Sequence, residues 1–314
     1  MLQGSRAFVT FHRGHLTARY LSMTRISSRF TALLLTATCL APHLALSQEL
    51  LSTPWQSTPW QADDTPDAAA IMPPGLQSAR LLPGWTDAQG DRVMALELVL
   101  EPGWKTYWRT PGDTGLPPHF EWEGSQNLSD VTFHWPAPQA IRSGDTLEMG
   151  YHDRLVLPFT AHATDATKPI AVETQVDIGL CESICVPAAL DLTAGQAAPD
   201  PDPVILAALK AEPARIAGHF SCRLTEMDDG MRLSVALPSP DITLAAIELT
   251  DQPDIWVSSA DLVDKGQGPS AVVEMVGPTG KPFDIDPKAL RVTMVTGSEG
   301  NSSAVEMSGC DLQD

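Results

Sequence analysis

Two cysteines lie four positions apart in the segment GLCESICVPAAL, residues 179–190, of a chain with five cysteines. A pair at this spacing suits three kinds of chemistry: a short structural disulfide, half of a metal site, or a dithiol couple that exchanges electrons with other thiols. Cys181 and Cys185 are therefore the candidate catalytic residues.

A zinc site is the first alternative to weigh. A structural zinc ion needs four nitrogen or sulfur ligands, commonly supplied as two close pairs. The chain offers one close pair, and no histidine lies within fifteen residues of it on either side. Copper(I) needs only two thiolates, so a copper site stays open beside the structural bridge and the redox couple. We predict a redox couple, with no resident metal and no cofactor.

Two further cysteines, Cys222 and Cys310, lie near the ends of the C-terminal part of the chain. In the chain-entropy description, a bridge that closes a loop of about 89 residues contributes about 4–5 kcal/mol, and one that closes about five residues contributes about 2 kcal/mol. A structural disulfide therefore stabilises most between Cys222 and Cys310. This pairing leaves Cys181 and Cys185 to each other.

The charges that flank the close pair in the sequence are all negative. No lysine or arginine occurs between Lys168 and Lys210, whereas Asp177, Glu182 and Asp191 surround the pair. Reactive thiols are activated by electropositive surroundings. We therefore predict reduced thiols with pKa values at or above the reference of about 8.5, so that a partner brings the attacking thiolate.

The N-terminus has the features of a secretory signal peptide. Residues 1–47 contain five arginines and no acidic residue, and an apolar run at 32–46 ends in small residues. Such a run is shorter than the roughly 20 residues of a membrane-spanning helix. We expect cleavage after residue 47, with Met23 as an alternative start, and a soluble, exported product. Cys39 would leave with the signal.

The overall charge restricts the partners. The chain carries 20 basic and 39 acidic residues, and loss of the five N-terminal arginines changes the net charge from −19 to −24. Such a surface repels the phosphates of nucleic acid and anionic lipid. We therefore predict no nucleic-acid partner; the sequence leaves the oligomeric state open.

The chain divides into segments by pattern. After a Pro-rich linker at 48–77, short stretches with alternating apolar residues and turn signals between them fill 78–198, and the same pattern returns at 219–314. This alternation predicts an all-β protein with an antiparallel β-sandwich followed by a second, smaller β-sandwich. The helical pattern within 199–218 predicts a linking helix.

Four motifs carry a resemblance to a known family: LEPGWKTYWRTPGDTGLPPHFEWEGSQN, WPAP, GYHDRLVLPF and CESICVP. Their order and spacing resemble the N-terminal periplasmic domain of the thiol:disulfide interchange protein DsbD, in the variant found in ScsB-like proteins. The resemblance implies an immunoglobulin-like fold for the first sandwich. It also implies that Cys185 forms mixed disulfides, that Cys181 resolves them, and that a cap loop at 141–151 shields the pair.

The resemblance also implies partners. A thiol pair without a cofactor gains and loses electrons only by exchange with other thiols. We expect a membrane-embedded thiol reductase acting in trans and a periplasmic thioredoxin-like protein. Two other functions stay open: a copper-tolerance protein that binds copper(I) through the same pair, and a non-catalytic binding module.

The segment GWKTYWRTPGDTG allows two interpretations. Its aromatic residues Trp104, Tyr107 and Trp108 suit ordinary core packing, and they equally suit a groove beside the cysteines.

Overall fold

The computed structural model describes residues 72–264, 266, 268–298 and 300–313. The predicted signal peptide and almost all of the predicted linker lie outside the described residues. Within the described part of the chain, no helix is long and apolar enough to cross a membrane.

Ten strands form the first sandwich: β1 Leu76–Thr86, β2 Arg92–Leu100, β3 Lys105–Tyr107, β4 His119–Glu121, β5 Leu128–Phe133, β6 Gln139–Ser143, β7 Thr146–His152, β8 Arg154–Ala163, β9 Glu173–Cys181 and β10 Cys185–Thr193. One sheet has the order β1-β2-β8-β5. The other has the order β10-β9-β3-β7-β6, with β4 also paired to β9. The first sandwich is therefore the predicted immunoglobulin-like β-sandwich.

The period-two pattern explains how these strands bury one face. In β9, Thr174, Val176 and Ile178 are buried, while the residues between them are exposed. This alternation is what a strand with one face on a core requires. β2 departs from it: Met94, Leu96, Leu98 and Leu100 on one face are buried, and Ala95 and Glu97 on the opposite face are buried too.

A short α-helix explains why Ala95 is buried on the outer face of β2, whereas Glu97 is buried in ion pairs with Arg80 and Arg154. Helix α1, Pro203–Leu209, begins where the Asp202 side chain accepts a hydrogen bond from the backbone nitrogen of Val204 at 2.7 Å. Its fully buried Ile205 packs with Leu82 and Ala95 on the first sandwich. The helix is thus shorter than the predicted linking helix at 199–218, and it covers a sheet.

Ten strands form the second sandwich: β11 Ala214–Arg215, β12 Phe220–Glu226, β13 Met231–Ala236, β14 Ile242–Leu249, β15 Trp256–Val257, β16 Asp261–Asp264, β17 Pro269–Val276, β18 Leu290–Ser298, β19 Asn301–Ser308 and β20 Cys310–Leu312. A short 3-10 helix, Pro287–Ala289, precedes β18. The sheets have the orders β11-β19-β18-β14 and β15-β17-β13-β12-β20, with β16 also paired to β17.

The second sandwich has a core of its own, and one of its sheets also packs on the first sandwich. Ala246, Val295 and Ala304 belong to the same buried cluster as the core of the first sandwich. Both sandwiches lie within one compact unit. The boundaries 78–198 and 219–314 remain a prediction.

Candidate functional site

The close cysteine pair lies at the end of a β-hairpin. Cys181 is the last residue of β9 and Cys185 the first of β10, and the two are paired across the strands with their Cα atoms 4.2 Å apart. The structure joins their sulfur atoms in a disulfide. Residues 182–184 form the connecting turn, so the disulfide joins the two strands directly beside this turn.

The two sulfurs differ in access. Cys181 is 2% exposed, whereas Cys185 is exposed. The neighbouring Ile184 is 70% exposed. Thiol–disulfide exchange begins when a thiolate approaches one sulfur of the bond. In this hairpin, an incoming thiolate can reach Cys185.

The side chain of Tyr107 contacts both sulfur atoms. Its hydroxyl donates a hydrogen bond to the Cys181 sulfur at 3.0 Å and lies 3.2 Å from the Cys185 sulfur. Burial, and after it the negative charge of Glu148, raise the pKa of Tyr107 to about 12. The hydroxyl therefore keeps its proton at physiological pH and can donate a hydrogen bond to a thiolate.

A buried ion pair lies on the same sheet. Lys105 is paired with Cys181 across β3 and β9, which puts the two side chains on one face. Its ammonium group forms an ion pair with Glu148, and the side chains are only 5% and 4% exposed. The Thr114 hydroxyl donates to the other Glu148 oxygen at 2.6 Å. A cation thus lies near the thiols, with its charge balanced by a carboxylate.

Sequence reasoning missed these neighbours because it considered only the residues on either side of the pair. Lys105 and Tyr107 are more than seventy positions away from the cysteines, and only the strand register brings them there. The single signal was the segment GWKTYWRTPGDTG. The sequence allows two interpretations of its aromatic residues, as core packing or as part of a groove beside the cysteines. Trp108 is fully buried in the core, and Tyr107 contacts the sulfurs, so each interpretation holds for one residue.

The prediction that residues 141–151 form a cap loop over the cysteines was wrong. This segment forms most of the β6–β7 hairpin. His152, at the end of β7, pairs with Lys105 at the level of Cys181, so the hairpin turn lies roughly 20 Å away at the opposite end of the strand. The turn cannot shield the cysteines from there.

The loop between β3 and β4, residues 108–118, lies beside the site instead. Leu116 lies so close to Gly179 that a Cβ atom there would be 2.8 Å from the Leu116 Cβ. A Cβ atom on Gly115 would be 3.0 Å from the Tyr107 ring. We call residues 108–118 the site loop.

The second cysteine pair has a different setting. The structure joins Cys222 to Cys310, with the Cα atoms 5.9 Å apart, and the residues are 2% and 8% exposed. Among the described residues, no group of three or more His, Cys, Asp or Glu side chains is arranged to hold a metal ion. The roles of the two disulfides stay predictions.

Mild dithiothreitol is expected to open Cys181–Cys185 and to leave Cys222–Cys310 closed. Cys185 of the first bond is an exposed residue, whereas both cysteines of the second bond are buried. Differential alkylation followed by mass spectrometry would measure each bond. Simultaneous opening of both bonds, or cysteines paired across the two sandwiches, would contradict the assignment.

Comparisons with known proteins agree with this geometry. Residues 78–196 match the family described as thiol:disulfide interchange protein DsbD, N-terminal. The chain is also similar to the crystal structure of the N-terminal periplasmic domain of ScsB from Proteus mirabilis, with 26% sequence identity and a TM-score of 0.50. That match covers 73% of this chain and 91% of the other, so it extends beyond the first sandwich. No curated protein matches the chain significantly.

Proposed function

We propose that this chain, whose residues 78–196 match the family described as thiol:disulfide interchange protein DsbD, N-terminal, is a periplasmic thiol–disulfide electron-transfer module. The observation that carries the proposal is the unequal access to a disulfide at a hairpin tip. Cys185 is exposed and Cys181 is 2% exposed. Such a pair has one sulfur for partners and one for resolution.

The reduction step follows from this arrangement. A partner thiolate attacks the Cys185 sulfur, the bond to Cys181 breaks, and the electron pair leaves on the Cys181 thiolate. The Tyr107 hydroxyl, 3.0 Å from that sulfur, donates a hydrogen bond to the leaving thiolate. A second partner thiol then attacks the mixed disulfide and releases Cys185. The partner ends oxidised by two electrons, and both cysteines take up protons.

Delivery of the electrons is the same chemistry in reverse. The Cys185 thiolate attacks the disulfide of an acceptor, and Cys181 resolves the mixed disulfide. We propose a membrane-embedded thiol reductase as the source and a periplasmic thioredoxin-like protein as the acceptor. Ile184, 70% exposed beside Cys185, offers an apolar contact for a protein partner and supports exchange with proteins.

Cysteine variants test the proposal in cell extracts. In Cys181→Ala, the resolving thiol is absent, so a partner is expected to stay bound to Cys185 as a band on a non-reducing gel that disappears with reductant. The matched variant Cys185→Ala leaves only the buried sulfur and is expected to trap little.

The opposite outcome has a defined meaning. If neither variant captures a thiol protein while the wild type binds copper(I) tightly through the same pair, the chain handles copper and the electron-transfer proposal fails. Equal trapping by both variants would contradict the separate roles of the two cysteines.

A further inference from the structure

The site loop connects the redox pair to the second sandwich. On one side, Leu116 packs against Gly179 and Gly115 lies against the Tyr107 ring. Gly179 lies two residues before Cys181 in β9, so it faces the same side of the sheet as that cysteine. The site loop therefore contacts Tyr107, which touches the sulfurs, and Gly179, which lies next to Cys181 on the same face of β9.

On its other side, the site loop is anchored by a cluster of charges. Arg109 stacks on the Trp108 ring at 4.0 Å and donates hydrogen bonds to Glu248 at 2.9 Å and to Glu306 at 2.8 Å. Arg291 also donates to Glu248, at 3.1 Å. Burial alone would raise the pKa of Glu248, but the hydrogen bonds and charges of Arg109 and Arg291 lower it. Both carboxylates belong to the second sandwich, in β14 and β19.

A second anchor lies at the tip of the loop. The backbone nitrogen of Asp113 donates to the Ser259 hydroxyl at 2.8 Å, and the Asp113 side chain accepts from the Ser259 backbone nitrogen at 2.7 Å. Gly112 has a φ of +109°, and a Cβ atom there would lie 3.0 Å from the Ser259 hydroxyl. Glycine thus permits both the backbone conformation and the close approach.

We propose that the second sandwich acts as a clamp that holds the site loop against Tyr107 and Gly179, and thereby limits access to the buried Cys181 side of the Cys181–Cys185 disulfide. Arg109 and Ser259 are the positioning residues of this clamp, since neither touches the sulfurs. The idea that the clamp regulates access by a protein partner rests on the proposed function. Its effect on the disulfide is a property of the chain alone.

The first arm of the test uses Ser259→Ala in the full oxidised chain. Loss of one of the two tip hydrogen bonds is expected to speed reduction of Cys181–Cys185 by dithiothreitol about threefold to tenfold, the factor that one hydrogen bond corresponds to. Glu248→Gln is expected to have a similar effect, because it weakens the hold on Arg109. The reduction is stopped at set times by alkylation of the free thiols, and mass spectrometry then gives the rate of reduction of each disulfide.

Three variants separate positioning from general loosening. Ser259→Thr keeps the hydroxyl and is expected to restore the wild-type rate. Ser303→Ala removes a hydroxyl that bonds Thr296 at 2.9 Å, on the exposed surface of the second sandwich, and Glu274→Gln removes an exposed ion pair with Arg232. Both are expected to keep the wild-type rate.

Wild-type rates in Ser259→Ala and Glu248→Gln would overturn the clamp, as would equal acceleration in Ser303→Ala and Glu274→Gln. Because dithiothreitol replaces the protein partner, this result is independent of the trapping experiment. A failed proposed function would show as absent trapping with the rate differences intact.

Discussion

Replacing Lys105 by methionine is expected to lower the free energy of unfolding by about 3–5 kcal/mol, the typical cost of leaving one charge of a buried pair without its partner. Lys105 and Glu148 have side chains that are 5% and 4% exposed. After the replacement, the hydrogen-bond donor that remains to the Glu148 carboxylate among the described residues is the Thr114 hydroxyl, at 2.6 Å. One neutral donor does not replace an ammonium group in a site that water barely reaches.

The measurement is urea unfolding of the oxidised protein, followed by tryptophan fluorescence, to which the fully buried Trp108 contributes. The double variant Lys105→Met with Glu148→Leu removes both charges and is expected to recover most of the loss. The exposed pair Arg232–Glu274 is the matched control, and Glu274→Gln should cost at most about 1 kcal/mol. A Lys105→Met variant as stable as this control would show that the pair is not buried in solution.

The strands of both sandwiches follow from the sequence because burial on one face leaves a period-two trace. Val176 and Ile178 alternate with polar residues, and β9 is a strand with those residues inside. A pattern of this kind depends only on the strand itself. It therefore predicts the fold class without knowledge of any partner strand.

The neighbours of the cysteines could not be predicted in the same way, because they depend on register between distant strands. The pairing of Lys105 with Cys181 joins β3 to β9, and nothing near either residue in the sequence encodes it. A shift of one residue would turn Tyr107 to the other face of the sheet. The prediction considered only the acidic residues near the cysteines in the sequence, and it missed Lys105, which the fold places beside Cys181.

A related reason explains why the cap loop was misplaced and why the helix within 199–218 is shorter than predicted. The segment 141–151 contains Gly144 and Asp145, which suit a turn, but only the strand pairing decides which end of the sheet that turn occupies. The helix covers only Pro203–Leu209, where its buried Ile205 packs against the first sandwich. In both cases the local pattern was compatible with several placements, and tertiary packing selected one.

The Tyr107→Phe variant is expected to raise the first macroscopic pKa of the reduced cysteine pair by about one to two units, since a hydrogen bond to a charged group contributes about 1.5–3 kcal/mol and one pKa unit corresponds to about 1.4 kcal/mol. The Tyr107 hydroxyl lies 3.0 Å from one sulfur and 3.2 Å from the other, so it can follow the negative charge to either thiolate. A donor that stabilises the thiolate lowers the thiol pKa, and phenylalanine removes that donor.

The protonation state of Tyr107 decides whether this reasoning holds over the range of the experiment. Burial and the charge of Glu148 raise the pKa of Tyr107 to about 12, so the hydroxyl keeps its proton between pH 6 and 10. Alkylation rate against pH gives the thiol midpoint in that window. Tyr151→Phe is the matched control: the Tyr151 hydroxyl is also buried, but it donates to the Pro136 carbonyl at 2.8 Å, so its loss should leave the thiol midpoint unchanged. Equal midpoints in the wild type and in Tyr107→Phe would mean that the hydroxyl contacts the sulfurs without stabilising the thiolate, and the leaving sulfur would then need another donor.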